Sequence, residues 1–185
     1  MCELMIKFFA YSALGWVCES VWHILLHGKP EQRRQLVTLP LCPVYGVAAI
    51  LLCTLIDPGQ GLVTLWAAGA LVASAAELLW YLLFVKIFGV RLWNYSHARA
   101  NLFGGVCGAY TLLWGVMAAV FVRVVDPTVS GIITKMPDMM RLFAAVFLWI
   151  ITAADMRKTA AVLADFRDGE IDGLPDCFPY MEKIL

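Results

Sequence analysis

The chain has 185 residues, 62% of them hydrophobic and 15% charged, with 14 basic residues balancing 14 acidic ones and a mean hydropathy of +0.78. A soluble domain holds roughly 45–50% apolar and about 25% charged residues, so this composition excludes one and points to a single domain in lipid. Zero formal net charge argues against nucleic acid or any polyanionic partner, which needs a basic surface.

A membrane-spanning helix needs about 20 mainly apolar residues. Residues 4–26 form the first such run. Its start, MCELMIKFF, has an acidic residue and one lysine before a run long enough to span. A cleaved leader has a basic region and a short apolar core instead, so the segment is expected to stay. Residues 40–56 are shorter, with Pro43 placed for a first helical turn, and read as a tilted span with an irregular start. Residues 62–85 carry Glu77 with no other charged residue. Residues 102–125 make a fourth span. Residues 139–154 make a fifth, the weakest, because Arg141 must snorkel at its start. Five spans are expected; four plus an interfacial helix is the alternative. Residues 1–156 would then be the transmembrane domain and 157–185 a cytoplasmic tail, a short helical extension of the fifth span followed by an irregular segment. Its Phe166, Phe178 and Tyr180 either dock on the bundle or a partner or stay loose.

Loop charges set orientation. With five spans, one side holds Lys29, Arg33, Arg34, Lys86, Arg91, Arg99, Arg157, Lys158, Arg167 and Lys183, against Lys7, Arg123, Lys135 and Arg141 on the other. The N-terminus should face out and the C-terminus in. Six scattered cysteines, Cys2, Cys18, Cys42, Cys53, Cys107 and Cys177, show neither CxxC nor zinc spacing. They read as packing residues, with no disulfide framework and no metal site.

The first two spans overlay on the next two. ESVWHILL (residues 19–26) matches ELLWYLLF (77–84), CPVY (42–45) matches CGAY (107–110), and the paired spans end in IDP (56–58) and VDP (125–127). The order predicts two parallel-related two-helix hairpins, 1–60 and 61–128, a plan with polar sites at the repeat interface. Glu19 and Glu77 then lie in one leaflet, on the order of 10–12 Å inside the boundary at about 1.5 Å per residue. A carboxylate there costs roughly 2.5–3.5 kcal/mol and needs a proton, a cation or water. For Glu19 the i+4 residue His23 is available; for Glu77 the expected partner is Arg99 or His97. The alternatives are a proton shared by the two carboxylates or, for each, a hydrogen bond to a serine, tyrosine or backbone group that only fixes helix packing. Trp93 stands apart from the other tryptophans, which suit interface belts or packing. It opens a polar, aromatic, turn-forming cluster with Asn94, Tyr95, Ser96 and Asn101. No phosphate-binding loop, hydrolase triad order or HExxH is present, so no ATP hydrolysis and no cofactor is expected of this chain.

YSALGWVCES (11–20), LPLCPVYGV (39–47), AELLWYLLFVKIFGVRLWNYS (76–96) and NLFGGVCGAYTLLWG (101–115) resemble the motif series of the bacterial ABC-transporter permease family of type IV, the CmpB-like family, over residues 11–127. Three positions depart from the pattern: Leu39 replaces a Gly, Asn94 an Asp and Gly105 an Arg. The resemblance implies a permease-like integral membrane protein that hands force to a separate ATPase subunit, through basic loops at residues 33–35 and 91–99. The expectation is an all-α integral membrane protein, homo-oligomeric, that moves a small solute. Glu19 and Glu77 would face the interior, with Tyr45, Trp93, Tyr95 and Asn101 lining a cytoplasm-facing cavity and Trp16, His23, Pro43, Arg99 and Tyr110 in support. A membrane scaffold or sensor whose tail binds a cytoplasmic partner is a second reading. An enzyme using the two carboxylates as acid and base is a third.

Overall fold

A computed structural model describes residues 1–28, 35–175, 178 and 181–184. The basic residues Lys29, Arg33 and Arg34 and the tail residues Cys177 and Tyr180 lie outside these. Helix α1 (Cys2–His27) ends on a left-handed Gly28, and α3 (Leu62–Phe88) ends the same way on Gly89, the usual stop where a helix must leave right-handed geometry. Between them α2 (Pro43–Leu55) begins at a proline, whose missing N–H costs nothing in a first turn. Then come β1 (Val90–Arg91), the hairpin β2 (Asn101–Leu102) and β3 (Val106–Cys107), α4 (Gly108–Val120), a π-helical turn at Phe121–Val125, and α5 (Asp126–Thr134). Helix α6 (Asp138–Asp168) follows, and β4 (Glu182–Lys183) pairs antiparallel with β1.

Four helical rods are long and apolar enough to cross a bilayer: Cys2–Leu25, Leu62–Phe88, Gly108–Thr134 and Asp138–Asp168. Helix α2 is the shorter fifth, about 20 Å at 1.5 Å per residue against a hydrocarbon core of about 30 Å. The rods are apolar on their outer faces too. Val63, Leu71, Phe143, Phe147 and Ile150 are all more than half exposed, which fits a lipid solvent and would be untenable in water. The chain is an all-α membrane protein of about five helices.

Packing is pairwise first. Helix α1 lies on α2 and α3 on α4, while α6 closes against α1. One small core joins Leu52 of α2 and Ile56 just past its end to Leu65 of α3 and Ala118, Ala119 and Val122 of the fourth rod. Another, of Ile6, Ile133 and Ala145, ties α1, α5 and α6. Beside it Lys7, 8% exposed, sits 3.0 Å from Asp126 and 3.1 Å from Glu3, and the Tyr11 hydroxyl donates to Asp126 at 2.5 Å.

Two expectations about the limits of the fourth span need correction. The fourth rod begins at Gly108 rather than residue 102, because the backbone first turns through β2 and β3, with Phe103 and Gly104 both at positive φ. It does not stop at Asp126-Pro127 but runs to Thr134, past the expected hairpin limit of 128. A proline inside a helix removes one hydrogen bond and crowds the carbonyl four residues back. Here that carbonyl belongs to Arg123, inside the π turn, whose wider winding accommodates the ring. Helix α6 continues beyond residue 154 without a break to Asp168, as the expected helical extension of the fifth span.

Candidate functional site

The site begins with a stretch of non-helical backbone. Residues 35–42 run as a strap along α6 into α2, and a strap beside spanning helices must have its N–H groups satisfied by protein. They are. Asp155, 5% exposed on α6, accepts from the amides of Thr38 at 3.1 Å and Leu39 at 2.6 Å, and Thr159 accepts from Val37 at 3.0 Å. Gln35 donates its amide to Leu41 at 3.1 Å, Cys42 to Ser12 at 3.0 Å, and the Gln35 side-chain oxygen takes the first amide of α2, from Val44, at 3.3 Å. The strap thereby fixes where α2 starts and points Tyr45 at α1.

Tyr45 meets Glu19, donating its hydroxyl at 2.5 Å. The approach requires Gly15: a Cβ there would fall 2.3 Å from the Tyr45 ring. On the other hairpin Glu77, 7% exposed on α3, accepts from the Trp114 indole of α4 at 2.8 Å and from the Tyr95 hydroxyl at 3.4 Å. Burial and the adjacent Glu77 carboxylate raise the Tyr95 hydroxyl above its usual range, so it stays a donor. Both carboxylates open into one cavity of about 530 Å³, walled by α1 to α4, the strap and the loop after β1. Its aromatic wall is continuous. Trp93 leans on Tyr95 (6.4 Å between centroids), Tyr95 stacks on Tyr110 (5.0 Å), Tyr110 reaches Trp114 (6.4 Å), and Trp114 meets Tyr45 edge to face (5.8 Å).

Of the residues singled out by sequence, Glu19, Glu77, Tyr45, Trp93, Tyr95 and Tyr110 share this cavity. Asn101 does not line it. It is exposed, and its side-chain amide donates to the Ser96 and Ala98 carbonyls, bracing the turn. Arg99 and His97 are exposed on the same loop, and neither is a partner of Glu77 among the described residues. Neutral indole and phenol donors take their place, which spares the cost of desolvating a guanidinium. Pro43 heads α2, His23 is 4% exposed on α1, and the buried indole nitrogen of Trp16 has no hydrogen-bond partner among the described residues.

The two departures near the aromatic wall have local reasons. The Asn94 side-chain oxygen accepts the Ser96 amide at 3.0 Å and its hydroxyl at 2.5 Å, closing an Asx turn that an aspartate would serve equally. Gly105 leaves no room for a side chain: a Cβ would lie 2.6 Å from the Tyr81 ring, and its carbonyl takes the Trp93 indole at 2.7 Å.

Sequence reasoning missed Trp114, Gln35 and the strap anchor Asp155. Trp114 had a signal, standing one helical turn beyond Tyr110 on the same face. Asp155 had none, since its partners are backbone amides 116 and 117 residues away. The tail gave an even choice, and the structure decides it for Phe178, which is 4% exposed and lines the cavity with Met181.

No curated protein and no solved structure matches the chain. The family model described as Putative ABC-transporter type IV matches residues 6–160, through all four rods, the strap and every cavity residue except the two from the tail, and the chain belongs to that family.

Proposed function

We propose that the chain is the membrane-spanning component of an ABC-type transporter for a small solute, with the Glu19–Glu77 cavity as its solute site. The observation that carries this reading is the cavity itself. A membrane helix bundle has every reason to exclude carboxylates, yet two of them open into one partly open cavity of about 530 Å³, within the range of small-molecule sites. Its position between the α1–α2 and α3–α4 pairs is where parallel-repeat transporters keep their polar sites. The repeat reading draws support from the matched ends at Gly28 and Gly89, and from α2 and α4 each starting just after a cysteine and running 13 residues. The pairs diverge in detail, since Glu19 takes a tyrosine and Glu77 an indole.

In this reading the basic loops face the cytoplasm of a bacterial inner membrane, the cavity opens to that side, and copies of the chain assemble around a separate ATPase subunit. Among the described residues the loop at 91–99 is the proposed contact for that subunit; Arg33 and Arg34 lie outside the described residues. A scaffold whose tail captures a cytoplasmic partner draws less support, because Phe178 is occupied by its own bundle.

The test is co-purification of the ATPase followed by ATP-dependent uptake in proteoliposomes. Uptake is expected to fall at least about tenfold in Glu77→Gln and in Glu19→Gln, the loss of one charged contact worth roughly 1.4 kcal/mol or more. Undiminished uptake in both variants would remove the site.

A further inference from the structure

The chemistry of the cavity wall narrows the solute. Among the described residues lining it are two carboxylates, Glu19 and Glu77, and no lysine, arginine or histidine. The donors on Glu77 are an indole and a phenol, both neutral, so its charge is solvated without being cancelled. Around the carboxylates stand the rings of Tyr45, Trp93, Tyr95, Tyr110 and Trp114, whose faces attract a cation that has shed its water. An anion finds no comparable welcome. The first amides of both helices that start here are taken, that of α2 by Gln35 and that of α4 by the Ala100 carbonyl at 3.1 Å.

Size and softness exclude the other cations. A divalent metal wants six to eight hard oxygens or a compact set of three or four protein ligands. Among the described residues no three His, Cys, Asp or Glu groups converge anywhere. A space of about 530 Å³ is far larger than one ion, and Met117, Leu52, Phe178 and Met181 give it apolar surface that an alkyl group would cover.

We propose that the cavity binds a small organic cation of the alkylammonium class, its charged head between Glu77, Glu19 and the aromatic wall and its alkyl part against the apolar floor. The proposal deepens the transport reading and rests on it only in treating the occupant as a solute.

The decisive comparison holds shape constant and changes charge. Choline, its neutral carbon isostere 3,3-dimethylbutan-1-ol and the anion 3,3-dimethylbutanoate are titrated into the full chain in maltoside detergent, free of choline lipids, and read by tryptophan fluorescence and calorimetry. Choline should bind saturably and at least about tenfold tighter than the isostere, the anion not at all. Tetramethylammonium should compete with it, and equal concentrations of sodium should not. In Glu77→Gln, which keeps an acceptor oxygen for Trp114, choline affinity should fall about tenfold while the isostere is unaffected.

Equal binding of isostere and choline, preference for the anion, competition by sodium, or no saturable choline binding would each overturn the proposal. So would choline affinity unchanged in both Glu77→Gln and Glu19→Gln. Should a variant fail to fold, the native chain's discrimination between choline and the isostere decides alone. The measurement uses neither ATP nor a partner subunit, so its failure leaves the transport reading to the uptake assay. Failed uptake with intact choline selectivity would sink transport and leave the cation site standing.

Discussion

Glu77 holds its place through two neutral donors of unequal strength. The Trp114 indole at 2.8 Å has ordinary hydrogen-bond geometry, while the Tyr95 hydroxyl at 3.4 Å is near the limit. A hydrogen bond to a charged acceptor in a dry setting contributes about 1.5–3 kcal/mol, so Trp114 is the main anchor. Trp114→Phe keeps the ring contacts with Tyr45 and Tyr110 and deletes only the N–H. It should lower stability in detergent by about 2 kcal/mol, and by less than about 1 kcal/mol when Glu77→Gln is already present, since an amide is a weaker acceptor. Thermal unfolding of the two single variants and the double variant measures the coupling; additive losses would show that the indole does not serve the carboxylate. The carboxylate pair was legible in the sequence because charge inside an apolar run is conspicuous. Its donors were not, because Tyr95 and Trp114 lie 18 and 37 residues away, and only the fold of the loop after β1 and the crossing of α3 with α4 select them.

At the scale of elements, the same dipeptide has two outcomes. Asp57-Pro58 ends α2 in a turn, where the Asp57 side chain accepts the Gly59 amide at 2.8 Å. Asp126-Pro127 lies within a continuous rod, where Asp126 accepts from Tyr11 and pairs with Lys7 across to α1. The difference is tertiary, which is why long apolar runs could be placed from sequence while the end of the fourth could not. The strap is the stronger case. Pro40 and Pro43 announced an irregular start, but nothing nearby announced Asp155. Removing its carboxylate strands the amides of Thr38 and Leu39, at about 1–3 kcal/mol for each buried donor left unpaired. Asp155→Ala should therefore destabilise the chain by several kcal/mol, and Asp155→Asn by roughly half as much, because one acceptor oxygen remains. Limited proteolysis at the strap should follow the same order. Equal resistance in all three proteins would mean that the strap is held from elsewhere, with Val37 on Thr159 as the next contact.

For the molecule as a whole, the tail changes what the cavity is. Phe178 and Met181 join its wall. The chain then pairs Lys183 and Glu182 with Val90 and Arg91 of β1 and donates the Ile184 amide to Gly89 at 2.8 Å. Phe84, Val90, Leu92 and Leu163 form the apolar seat beneath, with Met181 packed on it. A two-residue strand pair is marginal by itself, so the tail's hold rests on burying Phe178 and Met181. That makes it the most readily displaced part of the wall, and a solute path needs a part that gives way. The prediction is read at Ala48, which lines the cavity. In a chain with its native cysteines replaced by alanine, Ala48→Cys should react slowly with a soluble maleimide. Adding Phe178→Ala and Met181→Ala should speed that reaction several-fold without shifting the unfolding temperature of the bundle, whose main cores lie elsewhere. Reaction from one side of sealed vesicles also fixes which face the cavity opens to. An unchanged rate would place the way in between the spanning helices, and the tail would then be a fixed part of the wall.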